Sequence, residues 1–431
     1  MKVSFENLGV VKKIDLDLSK KLLVFCGPNG TGKTYVSYAI YGYLEKLLGD
    51  NLFDITRLIQ EKQLEVTIDY DNLYLLKQRY KRLDIGSLFG VNSTIFSGFK
   101  IKVNSSKKSF KEAVRASSFS FNYTAFNCPI VYQKKEKSDQ IILNLINDAD
   151  ITDFVGDSGI LHNAILGKYL CFQSIISAYI LPVERSSVYT FANELARNKF
   201  THTATIDSRY PRPIQDALAT AVDLNFIKVR ESKYKWLAED IEQQILHGRI
   251  EISTDGEMQF KPEKSDKTLS VHLSASFIKN LSGLLIYLKH QAKENELLII
   301  DEPELGLHPD NQIRLARIFA RLINNGIRLL INTHSDYIIR ELNNLIMLSS
   351  DSPEIKKNLK KWGYQKDEKI KPEDIGAYLF DFDKKDTNQV VVRSLDVDQK
   401  GFEVETIDKA INLLNENSEN IYYSLKYGKE D

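Results

Sequence analysis

Two segments of the chain, far apart in the sequence, carry residues suited to bind a nucleoside triphosphate. Residues 27–34 read GPNGTGKT and follow an apolar run, Leu22 to Cys26. Glycines let backbone N–H groups wrap around a β-phosphate, because they adopt positive φ and place no Cβ in the way. The spacing G-x-x-x-x-G-K-T after a strand therefore predicts a phosphate-binding loop. We expect that loop to consist of Gly27, Pro28, Asn29, Gly30, Thr31, Gly32, Lys33 and Thr34.

Two side chains at the end of this loop have predicted roles of their own. The ammonium of Lys33 can reach the β- and γ-phosphates, and the hydroxyl of Thr34 stands where Mg²⁺ is held in such loops. A helix beginning near Lys33 adds the positive end of its dipole. The segment predicts ATP and Mg²⁺ as cofactors.

The second segment, residues 297–309, reads LLIIDEPELGLHP. The continuous apolar run Leu297 to Ile300 is typical of a parallel strand buried on both faces. Asp301 at its end can hold Mg²⁺ through water, and Glu302 can orient or deprotonate the attacking water. This pairing of carboxylates predicts ATP hydrolysis.

A third apolar run, Ile327 to Ile331, is followed by Asn332, Thr333, His334 and Ser335. A histidine just past a strand end, at the same sheet edge as the phosphate loop, is placed to contact a γ-phosphate. We therefore interpret His334 as a catalytic residue rather than a surface or core imidazole.

The motifs DEPELGLHP and THS resemble those of the soluble ATPase heads of the ABC class. The resemblance is strongest to the heads of overcoming-lysogenisation-defect proteins and to the ATPase subunits of anti-phage systems such as Septu and PARIS. It covers residues 1–40 and about 250–345, and more loosely Leu181 to Ser187.

The resemblance implies a role for each matching residue. It makes Gly27 to Thr34 the Walker A loop, Asp301 the Walker B aspartate, Glu302 the catalytic glutamate and His334 the switch histidine. It also implies that Leu307 and His308 lie in the loop that crosses to a second subunit.

The ABC signature, which touches the γ-phosphate of the partner subunit, is expected within HLSASFIKNLSG, His272 to Gly283. Ser274 and Ser276 are its candidate helix caps and γ-phosphate donors. The usual glycine is absent, and Ala275 or Ser276 takes its place. For the Q-loop glutamine, the candidates are Gln133 and Gln173.

The sequence predicts an α/β fold. The resemblance implies an ABC-type P-loop ATPase head with a mixed, partly parallel core sheet, an antiparallel β-subdomain and a helical insertion. We assign residues 1–187 and 250–345 to the head, 188–249 to a helical lid and 346–431 to a C-terminal α/β extension. The insert between the two motifs shows no sustained heptad pattern, which disfavours the long-armed chromosome-maintenance ATPases.

Local patterns give five further structural expectations. They are a helix over 34–48, a hairpin over 64–76 turning at Asp71-Asn72, a strand over 100–103, a mobile loop over 104–119, and a hairpin over 250–260.

Two features of the sequence have alternative interpretations. Arg185 follows an apolar strand, Ser177 to Leu181, and either contacts phosphate or forms a structural ion pair. Asp381 and Asp383 in YLFDFD are either a metal pair or, as we favour, solvated carboxylates on an edge strand.

Composition limits the class of protein. Lys+Arg and Asp+Glu both number 58, so the net charge is zero and gives no global sign of nucleic-acid binding. Cys26, Cys128 and Cys171 have no motif spacing and predict reduced, mostly buried thiols of a cytoplasmic protein. We expect no signal peptide and no membrane span.

The resemblance makes the leading hypothesis an ATPase subunit of a prokaryotic anti-phage defence module. Such a subunit forms a homodimer or a higher homo-oligomer and controls a separate effector protein, a nuclease or toxin. The alternative is a DNA-repair-type ATPase that clamps nucleic acid directly. A transporter ATPase is disfavoured by the missing signature glycine.

Overall fold

The structure is a computed structural model that describes residues 1–48, 50–103, 106–125, 128–146, 155–172, 175–192, 210–265 and 267–427. Its strands are β1 Lys2–Leu8, β2 Val11–Asp17, β3 Leu22–Cys26, β4 Gln63–Thr67, β5 Lys100–Val103, β6 Phe119–Ala125, β7 Cys128–Lys134, β8 Gln140–Leu145, β9 Ser177–Leu181, β10 Gly248–Ile252, β11 Met258–Pro262, β12 Leu269–Ser270, β13 Glu296–Asp301, β14 Arg328–Asn332, β15 Ile375–Phe382 and β16 Val390–Leu395.

The α-helices include α1 Lys33–Glu45, α2 Ile55–Glu61, α3 Tyr70–Tyr80, α4 Ile85–Phe89, α5 Lys107–Ala116, α6 Val155–Phe172, α7 Arg212–Val222, α8 Leu224–Ile227, α9 Lys235–Ile241, α10 Ser276–Ile286, α11 Pro309–Asn324, α12 Asp336–Met347, α13 Pro353–Asn358 and α14 Glu405–Tyr427. Residues 185–192 are helical as well. Single π-helical turns, Glu242–Leu246 and Tyr287–Gln291, continue α9 and α10. Short 3₁₀ turns lie at Ser93–Phe96, Val271–Leu273, Lys366–Glu368 and Pro372–Asp374.

The central sheet has nine strands in the order β5-β1-β2-β16-β15-β3-β14-β13-β9. The five strands from β15 to β9 run parallel to one another. At the other end of the sheet, three pairs of neighbouring strands are antiparallel, so the sheet as a whole is mixed. These pairs are β15 with β16, β1 with β2, and β1 with β5. A separate antiparallel sheet has the order β4-β8-β7-β6, and β10, β11 and β12 form a third.

The phosphate-loop strand β3 is buried on both faces, as its unbroken apolar sequence LLVFC requires. Successive side chains of a strand point to opposite faces. Leu23 and Phe25 accordingly join one hydrophobic core, which includes α1, whereas Leu22, Val24 and Cys26 join the other, which includes α10 to α12. These two cores hold the parallel strands rigidly in the middle of the molecule.

The fold class predicted from the sequence is confirmed: the molecule is α/β, with a mixed core sheet that is parallel at its centre and a separate antiparallel sheet. The strand over 100–103 and the hairpin over 250–260 are also confirmed, and α1 occupies most of the helix expected over 34–48. The three cysteines are buried free thiols. Of the proposed lid, residues 188–192 and 210–246 are largely helical and residues 247–249 are not. Residues 193–209 lie outside the described residues.

Two local predictions were wrong for the same reason. The stretch 64–76 forms β4 followed by helix α3, which begins where the Asp69 carboxylate accepts from the N–H groups of Asp71 and Asn72. The stretch predicted as a loop forms helix α5 over Lys107–Ala116, capped by Ser106. In both cases a polar residue that looked like a turn or loop signal is the N-cap of a helix.

The C-terminal segment does not end at an edge of the sheet. β15 inserts between β3 and β16, so the prediction of an edge strand for YLFDFD was wrong. The register pairs Ala377 with Val24 and Leu379 with Cys26, directly beside the phosphate loop. Residues beyond 346 therefore complete the sheet that positions the site.

Candidate functional site

The loop Gly27–Thr34 connects the end of β3 to the start of α1, with Gly32 in the left-handed conformation at the helix N-cap. Gly27 has φ +132°, and a Cβ built on it would lie 2.0 Å from the carbonyl oxygen of Phe380 on β15. No side chain fits there, so glycine is required by the neighbouring strand. Gly30, at φ +76°, has no heavy atom within 4 Å of the corresponding position, so that side of the loop is open.

The ammonium of Lys33 is folded over the loop. It donates to the carbonyl oxygens of Gly27 at 3.0 Å and Pro28 at 2.7 Å. Burial lowers the pKa of Lys33 to about 8, and the nearby Asp301 carboxylate acts in the opposite direction. Burial therefore destabilises the charged form of Lys33, and an anion in contact with the ammonium would stabilise that form.

Thr34 and Asp301 meet although 267 residues separate them, since the Thr34 hydroxyl donates to Asp301 Oδ2 at 2.7 Å. The other carboxylate oxygen, Oδ1, accepts from Asn332 Nδ2 at 2.9 Å. Asn332 Oδ1 in turn accepts from the Ser37 hydroxyl at 3.0 Å. This chain of hydrogen bonds joins β13, β14 and α1 and fixes the orientation of the Asp301 carboxylate.

Glu302 leaves the strand at the left-handed φ of 47°, and its N–H donates to the Asn332 carbonyl at 3.0 Å. Such a backbone conformation is uncommon for a residue with a Cβ and is concentrated at functional sites. Burial, with the neighbouring Asp301 charge, raises the pKa of the Glu302 carboxyl. A raised pKa makes a carboxylate a stronger proton acceptor near neutral pH.

His334 stands opposite Glu302, with 4.0 Å between its Nε2 and Glu302 Oε1. Burial lowers the pKa of His334, and the Lys33 charge lowers it further. The imidazole is therefore neutral at pH 7, and the contact with Glu302 is not an ion pair.

Glu304 ties these two segments together and was not identified from the sequence. Its Oε1 accepts from the Thr333 hydroxyl at 2.9 Å and from the His334 N–H at 2.7 Å. Burial raises the pKa of this carboxyl. Glu304 thus sets the position of the His334 backbone from the loop that follows Glu302.

Arg185 is a second positioning residue, and neither of the roles considered for it from sequence describes its contacts. Arg185 is 2 % exposed, and its guanidinium donates to the carbonyl oxygens of Asp301 at 2.6 Å and Glu302 at 2.8 Å. It also donates to the carbonyls of Asn280 and Pro182. Arg185 therefore holds the end of β13 against the start of α10.

The expected signature segment has a different cap from the one predicted. Helix α10 begins at Ser276, with Ala275 at the N-cap and no side-chain capping bond. Ser274 donates instead to the Ser270 carbonyl at 3.4 Å. The prediction that Ser274 and Ser276 cap the helix was wrong; their contact with a γ-phosphate stays a prediction.

The remaining candidates lie in less specific surroundings. His308 is exposed and caps α11, accepting at Nδ1 from the Asp310 N–H at 3.4 Å, while Leu307 is buried. Gln133 is on β7 of the four-stranded sheet, and Gln173 lies outside the described residues. Asp381 and Asp383 each accept a hydrogen bond from a nearby backbone N–H, Phe382 and Lys385 respectively.

A protein-family model for the AAA ATPase domain matches residues 1–339 of the chain. The chain belongs to the AAA ATPase domain family. It is therefore a P-loop ATPase, as the two motifs predicted, and it binds a nucleotide. No curated protein matches the sequence.

Solved structures similar to this ATPase include SMC head domains. An SmcHead bound to the C-winged helix domain of ScpA is 12% identical, with a TM-score of 0.38 and coverage of 92% of this chain and 98% of that one. The SMC head domain from Thermotoga maritima is 11% identical, with a TM-score of 0.32 and the same two coverages, 92% and 98%. The Smc head with an extended coiled coil bound to the C-terminal domain of ScpA, derived from Pyrococcus furiosus, is 13% identical, with a TM-score of 0.35 and coverage of 97% and 98%.

Two features are absent from the described part of this ATPase. No helix in that part combines the length and the apolar composition needed to cross a membrane. The same residues contain no group of three or more His, Cys, Asp or Glu side chains arranged to hold a metal ion.

Proposed function

We propose that this ATPase binds ATP with Mg²⁺ at the loop Gly27–Thr34 and hydrolyses it with Glu302 as the residue that activates water. The observation that carries the proposal is the 2.7 Å hydrogen bond between Thr34 and Asp301. It brings the hydroxyl of one motif and the carboxylate of the other together at the start of α1. Both are expected near the phosphates in a P-loop site.

The donor set at this point suits Mg²⁺. Hydroxyl and carboxylate oxygens are the hard ligands that this ion prefers, and it commonly takes one or two protein ligands and keeps several waters. Thr34 would hold the ion directly and Asp301 through water. When bound, Mg²⁺ neutralises charge that develops on the phosphates.

The side chains around this point have different proposed roles in ATP binding and hydrolysis. Lys33 exchanges the carbonyl oxygens of Gly27 and Pro28 for phosphate oxygens, which relieves the burial of its charge. Glu302, with its raised pKa, accepts a proton from the attacking water. The neutral His334 is placed across from Glu302 to donate a hydrogen bond to the γ-phosphate.

We further propose that the site is completed by a second copy of the chain. Ser276 is exposed at the N-terminus of α10, an eleven-residue helix whose first N–H groups have no side-chain cap. Such an end attracts a phosphate. In the proposed homodimer, or higher homo-oligomer, Ser274 and Ser276 contact the partner's γ-phosphate, and Leu307 and His308 lie at the same boundary.

Assembly can be tested with two variants. Glu302→Gln with ATP should form a dimer or a multiple of it, because bound ATP persists when turnover is lost. Lys33→Ala should weaken this dependence on ATP. Light scattering that finds a monomer at every nucleotide state and concentration would contradict the shared site while leaving ATP binding intact.

The biological role that we propose is that of a cytoplasmic ATPase subunit in a prokaryotic anti-phage defence module. Its support is the resemblance of DEPELGLHP and THS to the ATPase heads of such systems. The partner would be a separate effector, a nuclease or toxin, that this subunit holds or releases in response to nucleotide.

The purified chain should therefore leave plasmid, single-stranded DNA and tRNA intact with Mg²⁺ or Mn²⁺, with or without ATP. Co-purification with the product of a neighbouring gene, and damage that needs both proteins, are the expected results. Cleavage by the chain alone that disappears in an Asp381→Ala, Asp383→Ala double variant would contradict this division. Tight ATP-dependent binding of the nucleic acid without any second protein would favour the direct clamp instead.

A further inference from the structure

The C-terminal helix α14 extends away from the rest of the protein. It is 23 residues long, and none of its side chains is buried. Its first turns are attached to the body, because Ile407 packs against a hydrophobic core and Glu405 pairs with Arg393 at 2.8 Å. From Asn412 to Tyr427 every residue is exposed. This outer part includes several large apolar side chains.

Ile411 and four residues of this outer part form a regular stripe, which we call the seam: Ile411, Leu414, Ser418, Ile421 and Leu425. Their intervals alternate between three and four residues, which is the heptad repeat of a coiled coil. The exposed fractions of Leu414, Ile421 and Leu425 are 66%, 62% and 82%. An apolar stripe of this period, left in water, is the contact surface for another helix.

We propose that the seam pairs with the seam of a second copy of this chain, forming a coiled coil that holds two ATPase bodies together. Partner choice in coiled coils is set by charges at the positions beside the seam. Here those positions are uncharged, being Ala410, Asn415, Asn417, Tyr422 and Ser424. Two identical helices therefore meet without like-charge repulsion, and a different partner finds no charge to select it.

The charged residues of the outer part lie on its other faces. They are Glu416, Glu419 and Lys426. The seam itself is nearly symmetric about Ser418, with two apolar residues on each side. A small polar residue in the middle of an otherwise apolar seam fixes the register of two identical helices.

The length of the seam agrees with pairing by a second helix. From Ile411 to Leu425 it covers about 22 Å at 1.5 Å per residue. A helix of this length is marginal in water by itself, and packing of its apolar face supplies the missing stability. Pairing with an identical seam covers that face on both chains at once.

The first test measures mass without nucleotide, so that it is independent of the ATP-driven contact proposed above. The full chain, with a mass of 49.4 kDa, should run at twice that mass or a multiple of it in light scattering at micromolar concentration. The same should hold for Lys33→Ala. Leu414→Gln with Ile421→Gln should reduce the mass to a single chain, with unchanged circular dichroism of the body.

The matched control changes two apolar residues off the seam. Leu413 and Tyr423 are 57% and 56% exposed, like the seam residues, but lie at heptad positions that do not face the partner helix. Leu413→Gln with Tyr423→Gln should keep the wild-type mass. If this control double variant also dissociates, non-specific hydrophobic association, and not the seam, holds the chains together.

The second test uses a cysteine at the centre of the seam. Because Cys26, Cys128 and Cys171 are buried, an introduced surface thiol reacts selectively with a short bis-maleimide. Ser418→Cys should link two chains in either helix orientation, since residue 418 is the midpoint. Glu416→Cys, on the opposite face, should link them at least tenfold more slowly.

The proposal is overturned if the wild-type chain is a monomer at all concentrations without nucleotide. It is also overturned if the seam double variant keeps the wild-type mass, or if Glu416→Cys links chains as fast as Ser418→Cys. None of these results bears on ATP binding at the loop Gly27–Thr34. ATP-dependent assembly is measured in the Leu414→Gln, Ile421→Gln background, where the seam does not pair the chains.

Discussion

The two strands that flank β3 contribute to the candidate site in different ways. β14, on one side, supplies side chains at its end: Asn332 fixes the Asp301 carboxylate, and His334 follows opposite Glu302. β15, on the other side, supplies main-chain atoms. Its Phe380 carbonyl limits what fits at Gly27, and its Tyr378 carbonyl accepts from the Cys26 thiol at 3.3 Å.

The side chains at the end of β14 are therefore expected to affect the reaction, whereas β15 is expected to constrain the shape of the loop. Changes to Glu302 and His334 should alter turnover with little loss of folded protein, because both side chains are about a third exposed. Changes toward β15 should alter the free energy of unfolding first, because the strand is packed against the loop backbone. The predictions below test that separation in order of expected effect.

The largest effect is expected for Glu302→Gln. The amide cannot accept the proton of the attacking water, so turnover should fall about 10²–10⁴-fold, the usual contribution of a general base. ATP binding should persist, because the phosphate contacts come from Gly27–Thr34. A steady-state ATPase assay beside a nucleotide titration measures both. Undiminished turnover would remove Glu302 from the catalytic role.

On the β15 side, Gly27→Ala should lower the free energy of unfolding by at least ~2 kcal/mol. The added Cβ meets the Phe380 carbonyl, and a strained φ alone costs about 1–3 kcal/mol. The matched control is Gly30→Ala, where φ is also positive but no heavy atom lies within 4 Å. That variant should lose only about 1–2 kcal/mol. Equal losses in urea unfolding would show that β15 does not constrain the loop.

A smaller effect is expected for Ser37→Ala, which removes the donor to Asn332 Oδ1. A buried acceptor left without its donor costs about 1–3 kcal/mol. Because Asn332 orients Asp301, turnover should also fall several-fold. The control is Ser282→Ala, since Ser282 is equally buried on a helix but donates to the carbonyl of Ile278 one turn back. Loss of stability without any change in turnover would show that the orientation of Asn332 does not affect ATP hydrolysis.

The smallest effect concerns pH and His334. Burial and Lys33 lower its pKa in the folded state below the ordinary value of 6.5. The unfolded chain then binds the proton first, so the stabilising contribution is complete above pH 6.5 and is lost as the pH falls below it. The side chain is 33% exposed, so the change should stay under about 1 kcal/mol.

Melting temperatures of the wild type and His334→Gln at pH 7.5 and pH 5.5 provide the measurement. The wild type should lose more stability on acidification than the variant does. An identical loss in both proteins would place the acid sensitivity elsewhere.

The sequence by itself was enough for the two motifs and for their nucleotide chemistry. The reason is local: GPNGTGKT, LLIIDE and the apolar run before THS each combine a strand with the residues that follow it. Parallel strands of one sheet place those ends at a common edge, so Thr34, Asp301 and His334 could be predicted to gather there. The α/β class followed from the same alternation of strands and helices.

Some residues act through main-chain atoms or on residues far away in the sequence. These could be identified only from the tertiary structure. Arg185 binds main-chain carbonyls, Glu304 binds a main-chain N–H, and Gly27 is constrained by a strand from the C-terminal segment. A backbone partner leaves no signature in residue types, so sequence motifs cannot reveal it. The helices α3 and α5 were missed because Asp and Ser serve equally as turn residues and as N-caps, and only packing on the core distinguishes the two.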